Sequence, residues 1–67
     1  MSIKYEIGGL LPYGKRAVCG LMPSGFAVTV AIVPISTNER VDIAVRRRGR
    51  DEMAQKIVDA LNRYENE

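Results

Sequence analysis

Arg40-Val41-Asp42-Ile43-Ala44-Val45-Arg46-Arg47-Arg48-Gly49-Arg50-Asp51-Glu52-Met53 is the stretch on which the fold turns. From 40 to 46, Val41, Ile43 and Val45 fall on one side and Arg40, Asp42, Ala44 and Arg46 on the other. A period of two reads as a half-buried strand. Gly49 then reads as the residue that lets the chain turn sharply. From Arg50 or Asp51 the period changes. Met53, Ile57, Ala60, Leu61 and Tyr64 follow the i, i+4, i+7, i+8, i+11 spacing of one helical stripe, widened by Ala54 and Val58. Glu52, Gln55, Lys56, Asp59, Asn62 and Arg63 cover the other side, and the helix runs to about Tyr64. Asp51 and Glu52 would stand in its first turn, where negative charge complements the helix dipole.

Upstream, residues 25–33 also alternate, with Phe26, Val28, Val30 and Ile32 on one side and Ala27, Thr29, Ala31 and Val33 on the other. Ile3, Tyr5 and Ile7 alternate with Lys4 and Glu6 to give a first strand. Residues 15–22 give a second, interrupted by Gly20, whose inward face the pattern leaves open. Met22-Pro23-Ser24-Gly25 has the composition of a tight turn. The expected fold is therefore α+β: a four-stranded antiparallel meander with one C-terminal helix packed on one face, ββββα, in a single small domain over residues 1–67. If the face bearing Phe26 meets the helix, Ala27, Thr29 and Ala31 form a flat platform on the far face. That platform is a candidate interface.

A chain of 67 residues builds only a small core, and such domains lean on disulfides, metals or oligomerisation. Cys19 alone cannot form an internal bridge, and with no histidine no usual zinc or iron site can be assembled. Self-association is the support that remains, so a homo-oligomer is expected. The hydrophobic fraction of 46% places the chain among folded proteins rather than disordered tails. The N-terminus lacks a basic region followed by an apolar run, and no apolar stretch is long enough to span a bilayer. A reduced cysteine in a chain without membrane segments points to the cytoplasm. Residues 1–50 hold eight basic and three acidic side chains, and residues 51–67 hold two and five. A basic sheet and an acidic helix surface are the expected consequence.

Catalytic chemistry finds little to work with. Histidine, the commonest general base near neutral pH, is absent, and Cys19 has no imidazole to activate it. Glu6, Glu39, Asp42 and Asp59 show no spacing that pairs them. Gly9-Leu10-Leu11-Pro12-Tyr13-Gly14-Lys15 imitates the start of a phosphate-binding loop, but Arg16 stands where a hydroxyl must reach magnesium, and a strand follows instead of a helix. No enzyme activity and no cofactor are expected.

Arginine carries the strongest functional signal. Arg46, Arg47, Arg48 and Arg50 fall within five residues. On an extended strand Arg46 and Arg48 project with Arg40, while Arg50 stands at the helix start. Arg40, Arg46, Arg48 and Arg50 thus form a candidate anion grip for an acidic protein surface, a nucleic-acid backbone or a nucleotide phosphate. No aromatic residue is interleaved to stack on bases, and a single helix cannot form a helix-turn-helix pair. Acidic residues at the helix start also oppose a phosphate there.

The closing segment Asp51-Glu52-Met53-Ala54-Gln55-Lys56-Ile57-Val58-Asp59-Ala60-Leu61-Asn62-Arg63-Tyr64 after a short meander resembles small phage and prophage orphan proteins, its core being Ala54-x-x-Ile57-Val58-x-Ala60-Leu61-Asn62. That resemblance implies an accessory role, such as inhibition of a host or defence protein. The expectation from sequence is a non-catalytic protein-binding module acting as a small homo-oligomer. A nucleic-acid-binding module and a protein that sequesters a small phosphorylated ligand stand as the alternatives.

Overall fold

Two short reversals organise the first half of the chain. Pro12 presets the first, and Tyr13 and Gly14 follow with φ of 65° and 75°. Met22-Pro23-Ser24-Gly25 makes the second: the Gly25 amide donates to the Met22 carbonyl at 2.9 Å and the Met22 amide to the Phe26 carbonyl at 2.7 Å. Gly25 has φ of 88°, a left-handed conformation that glycine adopts without steric cost. The computed structural model describes residues 3–65. Around these reversals it builds β1 (Lys4–Leu11), β2 (Lys15–Leu21) and β3 (Ala27–Val33), an antiparallel sheet in the order β1-β2-β3. One helix, α1 (Ile43–Glu65), packs on a single face, mainly over β1 and β2.

The architecture is α+β, with three strands rather than four among the described residues. Residues 43–49 are helical, and α1 starts well before Arg50. Asp42 explains the difference. Its Oδ1 accepts the Ala44 amide at 2.8 Å, and its carbonyl accepts the Arg46 amide at 3.0 Å, which is the arrangement of a helix N-cap. Alanine and consecutive arginines then propagate the helix well. Upstream, Ser36 and Asn38 side chains bond the amides of Asn38 and Arg40, so 34–42 is a structured connection. Gly49 lies inside α1, and Asp51 and Glu52 stand two turns in rather than in the first turn.

The inward stripe of α1 is spaced at i+4 and is polar at both ends. Arg46 and Asn62 are half-buried, while Arg50, Ala54 and Val58 are buried. Ile57 and Leu61 widen it, while Met53 is 51% and Tyr64 78% exposed. Against this stripe the sheet presents Tyr5, Val18 and Val33, with Ile3, Ile7 and Ala31 partly buried beside them. Val18, completely buried at 0% exposure, is the centre of the core and settles which way β2 faces.

Two register shifts shape the faces. In β1, Ile7 pairs with Val18 and Leu10 with Arg16, so Gly8 and Gly9 both oppose Ala17. A Cβ on Gly8 would lie 2.6 Å from the Cys19 Sγ and crowd Ala17, so any side chain there would force Cys19 to move. In β3, Val18 pairs with Ala31 but Cys19 with Thr29, which makes Val30 an additional residue. Alternation therefore reverses along β3. Ala31 and Val33 face the helix, while Phe26 and Ile32 are 72% and 54% exposed.

Asn62 closes the outer edge of β1. Its Oδ1 accepts the Tyr5 amide at 2.8 Å and its Nδ2 donates to the Tyr5 carbonyl at 3.0 Å. The side-chain amide thus bonds the strand as a neighbouring peptide unit would.

Gly49 provides a test of the helix boundary. A Cβ there would meet nothing within 4 Å, and the residue lies in a helix interior. Gly49→Ala is expected to stabilise the protein by about 0.5–1 kcal/mol, read as a rise in the urea midpoint. A loss of stability would restore the sharp turn at this position.

Candidate functional site

The helix changes which arginines meet. Arg46 and Arg50, one turn apart, point inward together, whereas Arg47 and Arg48 are exposed. Arg40 is exposed in the connection, its amide bonded to the Asn38 side chain at 3.1 Å. The four residues singled out from sequence therefore divide into an inward pair, Arg46 and Arg50, and an outward pair, Arg40 and Arg48.

Arg50 is 6% exposed and acts as a tie. Its Nη1 donates to the Gly14 carbonyl at 2.7 Å, fixing the first reversal to α1, and its Nε donates to Asp51 at 2.9 Å. Arg16, on β2, donates to the same carboxylate at 3.2 Å and to the Gly8 carbonyl at 3.2 Å. The Arg50 hydrogen bond is the main influence holding the Asp51 carboxyl below the usual carboxylate range. Partial desolvation opposes it, and Arg16 reinforces it. A depressed folded-state value contributes stability above the unfolded value of about 3.9, lost as pH falls through the folded one. Thermal melts of the wild type are expected to drop more steeply below about pH 4 than those of Asp51→Asn. Parallel profiles would contradict the role of this pair.

Arg46 is bonded differently. Its Nε donates to the Val41 carbonyl at 3.0 Å and its Nη1 to the Ser36 carbonyl at 3.2 Å. Among the described residues it has no carboxylate partner, so its charge is held in place but not neutralised. It borders a groove of about 490 Å³ between the 34–42 connection and the N-terminal half of α1. Val33, Pro34, Ile35, Val41, Val45 and Met53 make the groove apolar, and Gly49 leaves its wall open.

No protein-family model, curated protein or solved structure matches this chain.

The groove was not visible in the sequence, because it depends on 34–42 folding back over the extra turns of α1. A signal was present: Val41, Val45, Gly49 and Met53 recur every four residues. Ala27, Thr29 and Ala31 do not share one face. Ala31 packs toward the core, and Ala27 and Thr29 are exposed. Cys19 is a half-buried free thiol. Among the described residues no three histidine, cysteine, aspartate or glutamate side chains converge to hold a metal, and no described helix is long and apolar enough to cross a membrane.

Proposed function

We propose that this chain is a non-catalytic protein-binding module whose apolar groove takes an acidic, apolar-anchored segment of a partner protein. The observation that carries the reading is Arg46. Its guanidinium is fixed by two neutral carbonyls at the mouth of an apolar groove, with its charge unspent. A partner carboxylate would complete it, while apolar partner side chains would fill the space beside Val45 and Met53.

The placement of the arginines supports the same reading. Arg46 and Arg47 lie at the start of α1, where positive charge opposes the helix dipole. An inhibitor of a host or defence protein is the kind of module that the resemblance to phage orphan proteins implies.

Nucleic-acid binding is the second reading, favoured by the exposure of Arg40, Arg47 and Arg48. An NMR titration separates the two, using an amphipathic peptide of alternating glutamate and leucine and a single-stranded oligonucleotide. The protein-binding reading expects the peptide to shift Val41, Val45, Gly49 and Met53, with loss of binding in Val45→Glu. Oligonucleotide binding confined to the exposed arginines and steeply weakened by salt would favour the second reading. A peptide that leaves the groove resonances unmoved would overturn the first.

A further inference from the structure

The two edges of the sheet are built differently. The β1 edge carries Lys4 and Glu6, kinks at Gly8 and Gly9, and has its Tyr5 backbone groups taken by Asn62. Arg16 occupies the Gly8 carbonyl. Charges and side-chain caps are devices that keep a strand edge from pairing with another chain. The β3 edge carries no charge and no proline between Ala27 and Val33, and the run without charge extends from Ala17 to Asn38. Among the described residues, no side chain bonds the backbone of β3. Its β-branched side chains suit pairing, and α1 leaves this side of the sheet largely open.

We infer that β3 pairs antiparallel with the β3 of a second copy, giving a two-fold dimer with a continuous six-stranded sheet. The strand is self-complementary in this arrangement. A two-fold axis between Val30 and Ala31 sets Val28 against Val33 and Thr29 against Ile32. Because Val30 is the additional residue, each pair then joins side chains of the same face. No like charges meet anywhere along the pairing. The small core, centred on Tyr5, Val18, Val33, Ala54 and Val58, gives the chain reason to add buried area by association. This surface is separate from the arginine-bordered groove, and the pairing does not rest on its use.

Light scattering on a sizing column, from micromolar to millimolar protein, tests the pairing together with hydrogen exchange. The wild type is expected to reach dimer mass, with β3 amides more protected at high concentration. In a Thr29→Lys/Ile32→Lys chain, lysines oppose lysines, so dimerisation is expected to weaken by about tenfold or more. A Thr29→Glu/Ile32→Glu chain is expected to behave likewise. Mixing the two is expected to restore a dimer, which also shows that both variants are folded. A wild type that stays monomeric at millimolar concentration overturns the inference. So does a dimer indifferent to both variants, or a lysine–glutamate mixture that fails to pair. A foreign strand retained on β3 in a stoichiometric complex would overturn it in favour of another partner. None of these results bears on peptide binding at Val45 and Met53.

Discussion

Arg50→Ala is expected to destabilise the protein by about 2–4 kcal/mol, measured by urea unfolding followed by circular dichroism. A chain of this size rarely holds more than about 3–5 kcal/mol in all, so the variant would sit at the edge of unfolding. Three losses combine. The Gly14 carbonyl loses its 2.7 Å donor, Asp51 loses its nearer guanidinium, and the buried stem of Arg50 leaves a void beside Ala54. Arg50→Lys should recover part of the loss, because one ammonium can serve the carbonyl or the carboxylate but lacks the fork that serves both. An alanine variant within about 0.5 kcal/mol of wild type would show that Arg50 is not a structural tie.

Val18→Ala is expected to cost about 2–3 kcal/mol, since it removes two buried carbon groups at the largest side chain with no exposure among the described residues. Ile32→Ala, on the neighbouring strand and 54% exposed, is expected to change the monomer by roughly 0.5 kcal/mol or less. The comparison is best made at low protein concentration, where the β3 surface is free. Equal losses at both positions would mean that Ile32 belongs to the core and that β3 faces the other way.

The first three strands and the end of the helix were legible because their patterning is local. Pro23 and Gly25 announce the second reversal, and Ile3, Tyr5 and Ile7 alternate cleanly before the Gly8-Gly9 bulge. The start of the helix was hidden by a coincidence of periods. Val41, Ile43 and Val45 satisfy a repeat of two, but Val41 and Val45 satisfy a repeat of four equally well, and the Asp42 cap decides between them. The inward stripe was hidden for a chemical reason. Arginine at 46 and 50 and asparagine at 62 read as surface residues, yet each donates a hydrogen bond to the backbone of another segment. A search for apolar spacing therefore lands to the side of the stripe, on Met53 next to Ala54 and on Tyr64 two residues past Asn62. The single platform of Ala27, Thr29 and Ala31 does not form, because nothing in Ala27-Val28-Thr29-Val30-Ala31 marks Val30 as the extra residue. The groove could not be read at all without the path of the connection above it.

Asn62 has a consequence for how many copies can join. In a two-fold pairing through β3, both surviving sheet edges are β1 edges, and each carries its own Asn62 amide across Tyr5. Growth of the sheet would stop there. In that pairing the residue that fastens the end of the helix to the first strand would hold the stoichiometry at two, and a chain with an open, uncharged strand would form a closed particle instead of a fibre.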